Sequence, residues 1–435
     1  MDPPPHEAAE DGVSADARFS ARRSLTANNE QLTAAWRQPS KIHRHLPSVE
    51  NGLQVYKDIT MGHRVERREF LVGAASALLA SGCRTPFGNG VCYSVAILGD
   101  THFDAEPDSV YHSHYRNEGK KEWLWKVQRQ EFARNGEMWR GRCRDLLKAS
   151  AAVAGATSNV EFVLQLGDLI QGDCDDAATH RKMLADAIAT MRAPYPQGLP
   201  FLTVVGNHDF RGLDAEKAYF DFIEPYLGRE LGEAVKFPAF SFRHGPDLWI
   251  FCHFERVRAT DLIRLIDSGR DARHVFLVSH GPFTPGESTL WYWRLGGGWS
   301  ASDREALMSA LLRNQVVVLS GHTHEIAWWH IVHAKGSYSE FTVNSVWASP
   351  GLATAKPLAE QPSQYGEWTL AQLEKRDEKR AGSYRADIEM FKRGLADYFF
   401  NQGAGHFRLN VSEGGVTMDY FPGAAVVPAR TFVLK

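Results

Sequence analysis

Five short loops in the chain carry the Asp, Asn and His side chains that metal ions bind, and each loop follows an apolar run. The loops span residues 99–102, 167–168, 206–209, 280–281 and 321–324, and the runs before them span residues 95–98, 162–164, 202–205, 275–278 and 316–319. Each run has the length and the aliphatic content of a buried strand. Because open sheets bind ligands at the edge where their strands end, the loops are expected to converge there. Carboxylates, imidazoles and one amide together would suit a site for two transition metals.

Taken singly, these motifs carry little weight. Gly before Asp or Asn after a strand is common turn chemistry. A lone His at a strand end, such as His280, is more often structural than functional. The pair His322 and His324 is a stronger signal, because two His side chains two residues apart in an irregular loop can face one site. The order of all five loops together favours a metal site.

In this order, the motif residues resemble the calcineurin-like metallophosphoesterase family over residues 94–324. The resemblance implies two divalent or trivalent metal ions, drawn from Mn, Fe, Zn, Co or Ni. One ion would be held by Asp100, His102 and His324, the other by Asn207, His280 and His322, and Asp168 would bridge both. His208 would face the substrate, as a general acid or as a transition-state contact.

The resemblance also implies an α/β fold, a four-layer α/β/β/α sandwich with helical insertions, expected over residues 91–425. The implied reaction is hydrolysis of a phosphoester by attack of a metal-bridging hydroxide. Two alternatives stay open, namely an exported binding protein without turnover and a two-metal hydrolase of another ester or amide. Gln171 stands where better-known branches of the superfamily have Asp or Tyr, which leaves the support of His208 to Asp209 or Asp173.

The composition is that of an enzyme-sized globular protein. The chain has 435 residues, 43% of them hydrophobic, and a formal net charge of −3, so no bulk charge favours nucleic acid or a membrane surface as partner. The family resemblance implies a phosphorylated substrate as the partner. None of the five cysteines forms a Cys-x-x-Cys pair, which argues against a zinc knuckle or a thioredoxin motif.

Residues 61–83 resemble a bacterial twin-arginine export signal. Arg67 and Arg68 precede a short apolar run that ends in small residues and Cys83, a possible lipid-anchor site. We expect an exported protein that meets the export machinery and is periplasmic or anchored by lipid at Cys83. Residues 1–60 are expected to be disordered or an over-extended reading frame before Met61. The alternative is a cytoplasmic protein in which residues 61–83 form an Ala-rich amphipathic helix and residues 1–60 are a disordered tail.

Three insertions, at residues 104–150, 284–300 and 356–402, are expected around the catalytic core. The first mixes basic residues with Trp123, Trp125 and Trp139, either as a wall for anionic phosphate or as a two-faced helix whose Trp side chains pack inward. The second holds the candidate substrate contacts Trp291, Trp293 and Trp299 beside a Gly run, as a lid or as a self-packed loop. The third is expected to be a helical layer. A capping box at residues 302–305 predicts a helix through Leu312.

Overall fold

The computed structural model describes residues 91–104, 111–112, 130, 132–157, 159–286, 299–346, 357–375 and 377–435. The predictions for residues 1–60, for the export signal at residues 61–83 and for Cys83 lie outside the described residues. The same holds for Trp123, Trp125, Trp291 and Trp293. In the part of the chain that is described, no helix has the length and apolar character needed to cross a membrane.

The strands of the described residues form two sheets. In chain order they are β1 (Val91–Leu98), β2 (Val160–Gln165), β3 (Phe201–Thr203), β4 (Ala239–His244), β5 (Asp247–Cys252), β6 (Val275–Ser279), β7 (Val317–Ser320), β8 (Ile326–His333), β9 (Gly336–Thr342), β10 (Leu395–Asn401), β11 (Gly405–Ser412), β12 (Val416–Pro422) and β13 (Arg430–Val433). The first sheet has the order β13-β12-β11-β1-β2-β3, and the second has the order β10-β8-β9-β7-β6-β5-β4. Strands β1, β2 and β3 are parallel to one another, as are β5, β6, β7 and β9.

Helices lie on both outer faces of the pair of sheets. They are α1 (Arg144–Ala156), α2 (Ala177–Arg192), α3 (Ala215–Leu231), α4 (Ala259–Asp267), α5 (Ala301–Arg313), α6 (Glu367–Glu374) and α7 (Glu378–Lys392). Side chains of α1, α2 and α3 share one apolar core with the first sheet. Side chains of α4, α5 and α7 share a second core with the second sheet.

Alternation along the strands explains why the sheets stack. On β6, Phe276 and Val278 join the core between the sheets, whereas Val275 and Leu277 join the core under the helices. A strand that is apolar on both faces must be covered on both, which is typical of parallel strands. Trp249 of β5 meets the first sheet, since its Nε1–H donates to the hydroxyl of Tyr93 at 3.2 Å. The predicted four-layer α/β/β/α sandwich is therefore confirmed.

All five predicted strands are present, as β1, β2, β3, β6 and β7. The apolar run at residues 202–205 predicts a strand through Val205, but β3 ends at Thr203. Beyond residue 425, where the sequence places the end of the domain, β13 still extends the first sheet by pairing with β12. Strands β11 and β12 pair antiparallel as a hairpin.

The predicted helix start at residues 302–305 is wrong by two residues. Ser300 is the N-cap of α5, and its hydroxyl accepts from the main-chain N–H of Asp303 at 3.1 Å. The Asp303 carboxylate accepts in turn from the Ser300 N–H at 3.0 Å. Asp thus takes the place that the prediction gave to Glu305, because its side chain reaches back to the cap from the third helical position.

The insertions differ in part from expectation. Trp139 is buried edge-on against Phe103, with ring centroids 4.9 Å apart, so this Trp packs inward. The segment at residues 356–402 contains α6 and α7 as expected, but it ends in β10, which pairs with β8. Three consecutive buried aromatic residues, Tyr398, Phe399 and Phe400, explain why this end joins the sheet rather than the helical layer.

Candidate metal centre

The five ligand-bearing loops leave the carboxyl ends of parallel strands. Backbone hydrogen bonds join loops from different strands at this edge. The His102 N–H donates to the Asp168 carbonyl at 2.8 Å, and the Gly321 N–H donates to the His280 carbonyl at 2.9 Å. The main chain alone therefore joins the first loop to the second and the fourth loop to the fifth.

Five of the predicted ligands have backbone angles that side-chain-bearing residues rarely adopt. Their φ angles are +43° for Asp100, +43° for His102, +51° for Asp168, +71° for His322 and +54° for His324. Left-handed backbone at non-Gly residues persists only where surrounding contacts impose it, and such residues cluster at functional sites. Two of these contacts involve the ligands themselves. Asp100 Oδ1 accepts from the His322 N–H at 2.8 Å, and Asp168 Oδ1 accepts from the His208 N–H at 2.7 Å.

Two glycines leave room for the central side chains. A Cβ atom at Gly206 would lie 2.1 Å from the main-chain nitrogen of Asp168, and one at Gly167 would lie 2.5 Å from His280 Nδ1. Gly167 also has a φ of +86°. Any side chain at either position would displace Asp168 or His280.

The first group of converging atoms comes from Asp100, His102, Asp168 and His324. The Nε2 atoms of His102 and His324 are 3.0 Å apart. His102 Nε2 lies 3.6 Å from Asp168 Oδ2, and His324 Nε2 lies 3.6 Å from Asp100 Oδ1. One potential ligand atom from each of the four residues lies within 4.8 Å of the others.

The second group comes from Asp168, His280 and His322. His280 Nε2 lies 3.0 Å from His322 Nδ1 and 3.2 Å from Asp168 Oδ2. The amide oxygen of Asn207 is 3.3 Å from the same His280 nitrogen. The structure thus brings all seven predicted ligands into two groups that share Asp168.

The donor set fits two metal cations. Burial lowers the pKa of His102 to about 4 and that of His322 to about 3, so both rings are neutral at pH 7 and can offer a lone pair. Asp100 Oδ2 is buried and has no hydrogen-bond partner. Burial is also the main cause of the raised pKa of Asp100, because a carboxylate here lacks water, and a bound cation would restore the charged form.

His280 shows that this site favours positive charge. Burial lowers its pKa, but the Asp168 carboxylate outweighs burial and raises it to about 9. A metal ion would meet the same field. The main-chain carbonyl of Leu166, 2.8 Å from Nδ1, accepts a hydrogen bond from Nδ1–H, which fixes the ring and turns Nε2 toward Asp168 and Asn207.

His208 lies beside the first group rather than within either group. Its ring is edge-on to His102, with centroids 4.5 Å apart. Nδ1 lies 2.9 Å from the main-chain carbonyl of Gln171, and Arg211 Nη1 lies 2.8 Å from Nε2. Burial, reinforced by the charge of Arg211, holds the pKa of His208 well below its usual range. Its role toward a substrate stays a prediction.

The structure also shows how the surroundings of His208 are held. Asp209 accepts from the main-chain N–H groups of Ile170 at 3.1 Å and Gly206 at 2.8 Å, so it ties two ligand loops together. Asp173 reaches the His208 ring through Arg211, whose Nη2 is 2.5 Å from Asp173 Oδ2. The side chain of Gln171 is buried and accepts from Asn135 at 2.8 Å, so its contact with His208 comes from its main chain.

Trp299 is the one predicted substrate contact within the described residues. Its ring is parallel to that of Phe283, with centroids 6.2 Å apart, and its Nε1–H donates to the Val257 carbonyl at 3.2 Å. This placement favours a packing role. Glu340 fixes the start of the same insertion, because its carboxylate accepts from the N–H groups of Phe283 at 2.8 Å and Thr284 at 2.7 Å.

Three neighbours of the site are absent from the sequence predictions. They are Arg211, Glu340 and Phe254. The Phe254 ring lies 5.4 Å from the His280 ring and 5.7 Å from the His322 ring, where it forms an apolar wall. Only Arg211 carried a usable signal, since it follows His208 by three residues in the same loop.

A model of the calcineurin-like phosphoesterase family matches residues 93–325, more than half of the chain. The chain belongs to this family. The matched residues include all five ligand loops, and the match confirms the resemblance inferred from the motifs. No individual curated protein matches the chain significantly.

Three solved structures are similar to the chain at low identity. A purple acid phosphatase from yellow lupin (Lupinus luteus) is 13% identical, with a TM-score of 0.43, and covers 80% of this chain and 54% of its own, so the chain spans about half of that structure. A dimetal phosphatase from Danio rerio is 13% identical, with a TM-score of 0.43, and covers 80% of this chain and 100% of its own. The GAP50 anchor of the Plasmodium inner membrane complex is 14% identical, with a TM-score of 0.41, and the match covers 80% of this chain and 89% of the GAP50 chain.

Proposed function

We propose that this chain hydrolyses phosphoesters with two metal ions bound in the centre formed by the five loops. The observation that carries the proposal is the sharing of Asp168 between two groups of ligand atoms. A carboxylate has two oxygens and is suited to span two cations. When bound, such a pair of ions would supply an acidified water and positive charge for the phosphoryl group.

The predicted ligands would bind the metal ions, and the neighbouring residues would contact the substrate or exclude water. Asp100, His102 and His324 would hold one ion, Asn207, His280 and His322 the other, and Asp168 both. His208 would face the leaving group or the phosphoryl oxygens from beside His102. Phe254 would keep water away from His280 and His322 and so strengthen the electrostatic interactions inside the site.

The alternatives predict different experimental outcomes. A binding protein without turnover would bind metal and phosphate but cleave nothing. A two-metal hydrolase of another ester or amide would cleave carboxylic esters or amides faster than phosphoesters. The complete ligand set together with His208 favours hydrolysis of phosphoesters, since phosphoryl transfer depends on charge stabilisation more than on covalent chemistry.

The test is metal analysis of the purified protein combined with a substrate panel. The panel contains aryl phosphomonoesters, aryl phosphodiesters, a carboxylic ester and an anilide, each assayed with Mn, Fe, Zn, Co or Ni. We expect about two metal ions per chain, the number required by a two-metal site, and turnover of at least one phosphoester. Full metal content without any turnover would support the binding protein, and turnover of the ester or anilide alone would support the other hydrolase.

A further inference from the structure

A guanidinium group lies at the rim of the metal centre, and the hydrolysis proposed above does not use it. Arg211 follows the short 3-10 turn His208–Phe210. Its Nη1 lies 2.8 Å from His208 Nε2, and its Nη2 lies 2.5 Å from Asp173 Oδ2. The Arg211 side chain is 30% exposed, whereas that of Asp173 is only 4% exposed. Arg211 therefore connects the buried ligand loops with the solvent from which a substrate arrives.

Hydrogen bonding places the positive charge on Arg211 rather than on His208. The Gln171 carbonyl, 2.9 Å from His208 Nδ1, can only accept, so Nδ1 carries the proton. A guanidinium can only donate, so the nearby Nε2 offers its lone pair to Arg211. In this arrangement the His208 ring is neutral. The cation on this side of the metal ligands is the guanidinium.

Both main-chain polar groups of Arg211 are hydrogen-bonded within the same pair of loops. Its main-chain carbonyl accepts from the Asp173 N–H at 2.7 Å, and its N–H donates to the His208 carbonyl at 3.2 Å. Asp173 itself has a φ of +53° and follows Gly172, whose φ is +68°. A guanidinium carries five N–H donors in a rigid plane and can bind several acceptors at once.

We propose that Arg211 binds a phosphoryl oxygen of the substrate and makes the site prefer phosphomonoesters to phosphodiesters. The inference rests on the proposed function, because it concerns the substrate of the same centre. A phosphomonoester has three non-bridging oxygens and up to two negative charges, and a phosphodiester has two such oxygens and one charge. The additional oxygen and charge are what a fixed guanidinium at the rim recognises. The ion pair with Asp173 neutralises part of the charge of Arg211, so the preference for phosphomonoesters is moderate.

The test measures binding of two small anions to the metal-loaded protein by calorimetry. Inorganic phosphate stands for the monoester group and dimethyl phosphate for the diester group. In Arg211→Ala we expect phosphate affinity to fall roughly 10- to 100-fold, the range for loss of a charge-assisted hydrogen bond. We expect dimethyl phosphate affinity to fall less than about 3-fold. Arg211→Lys keeps the charge but loses the planar fork, so it is expected to be intermediate.

Arg192→Ala is the matched control. The Arg192 side chain is 35% exposed and forms an ion pair of 2.6 Å with Glu230 on α3, so it resembles Arg211 in exposure and pairing but lies outside the site. The control is expected to bind both anions as the original protein does. Metal content and melting temperature are measured for every variant, and a panel of monoesters and diesters gives KM and kcat separately.

Each outcome decides the inference. Unchanged phosphate affinity in a metal-loaded Arg211→Ala variant overturns it, as does an equal loss for both anions. If Arg211→Ala loses metal or melts well below Arg192→Ala, then Arg211→Lys decides, and the inference stands only if Lys restores part of the discrimination. Discrimination by Arg211 in a protein that cleaves no phosphoester would refute the proposed function and leave the inference intact. Turnover of phosphoesters that does not change in the Arg211 variants would support the proposed function and refute the inference.

Discussion

The Nε2 atoms of His102 and His324 lie 3.0 Å apart, although 222 positions separate the two residues in the chain. Burial lowers the pKa of His102 to about 4 and holds that of His324 well below its usual range, so both rings are neutral at pH 7. Two lone pairs that face each other so closely need a proton or a cation between them. With Asp100 and Asp168 at the same place, a metal cation satisfies all four groups at once.

Asp168→Asn is expected to lower metal content in both halves of the centre and to abolish turnover. An amide keeps the shape of the side chain but has one oxygen and no charge, so it cannot bridge two cations. Metal analysis with the phosphoester assay checks this. Asp419→Asn is the control, because Asp419 is also buried and paired, with Arg408 at 2.8 Å, but lies on β12 outside the site. A fully metallated and active Asp168→Asn protein would contradict the bridging role.

His208→Ala is expected to leave metal content near that of the original protein and to reduce turnover roughly 10²- to 10⁴-fold, the range for loss of a general acid or of a transition-state contact. Because the ring is neutral while Arg211 contacts Nε2, the general-acid role requires the ring to gain a proton when substrate binds. The ring lies beside His102 but outside both groups of ligand atoms. Rates over aryl phosphates of graded leaving-group pKa test the role. A loss that shrinks for good leaving groups indicates proton donation, and an equal loss indicates charge stabilisation through Arg211. Loss of metal would show that His208 supports the ligands instead.

Local sequence patterns predict the strands and the ligand loops well, whereas the four-layer fold and the division of the ligands into two groups were implied by the family resemblance. Strands such as β6 are apolar on both faces and are followed by a ligand loop, which requires no knowledge of distant residues. Parallel strands of one sheet end at one edge, so the loops of each sheet are expected to lie together. The resemblance, rather than strand order, implied which ligands of the two sheets meet.

The remaining features depend on contacts between distant segments. Glu340 lies on β9, and its carboxylate accepts from the N–H of Phe283, which lies 57 positions earlier in the loop after His280. Nothing near Glu340 in the chain indicates that partner. The partner of His208 Nδ1 was equally hidden, because it is the main-chain carbonyl of Gln171. Asp173, one of the two expected supports, reaches the ring only through Arg211. A sequence shows side chains, but it does not show which carbonyl a turn presents.

Gly206→Ala is expected to lower metal affinity at least about 10-fold, as changes to groups that orient metal ligands commonly do. The new Cβ would lie 2.1 Å from the Asp168 main-chain nitrogen and 2.3 Å from Asp168 Oδ1, so the bridging carboxylate must move. Gly155→Ala is the control, since a methyl group on this residue of α1 would meet nothing within 4 Å beyond the adjacent helix backbone. Metal titrations compare the two. Equal affinities would show that the loop absorbs the methyl group without moving Asp168.

Glu340 is expected to make stability depend on pH below neutrality. Burial raises its pKa from 4.5 to about 7, against the lowering effect of hydrogen bonds from Thr284 and Phe283. The folded state therefore favours the protonated form. The resulting stabilisation is complete below pH 4.5 and is lost as the pH rises through 7. At about 1.4 kcal/mol per pKa unit, the loss is about 3 kcal/mol at most.

Urea unfolding of the original protein and of Glu340→Gln between pH 4.5 and pH 8 measures this effect. Gln cannot ionise, so the difference in free energy of unfolding between the two proteins is expected to shift in favour of Gln up to pH 7 and then to stay level. Ser320→Ala is a control for lost hydrogen bonding, because it removes the 3.3 Å contact to the carboxylate and leaves Glu340 ionisable. A difference that does not change with pH would refute the buried, shifted carboxyl group.

Finally, we propose that residues 61–83 direct export, and a chain that starts at Met61 tests it in a bacterial host. Arg67→Lys/Arg68→Lys is expected to hold the protein in the cytoplasm, whereas Arg64→Lys is the control and leaves export intact. If Cys83 is lipidated, Cys83→Ser removes the thiol that carries the lipid, so the protein is released from membranes or is not processed. Stable anchoring needs more than one acyl chain, so the intact protein is expected to carry several. Fractionation and mass spectrometry of the mature N-terminus measure both effects. When the full chain is expressed, an intact N-terminus at Met1 in the soluble cytoplasmic fraction would overturn the export proposal.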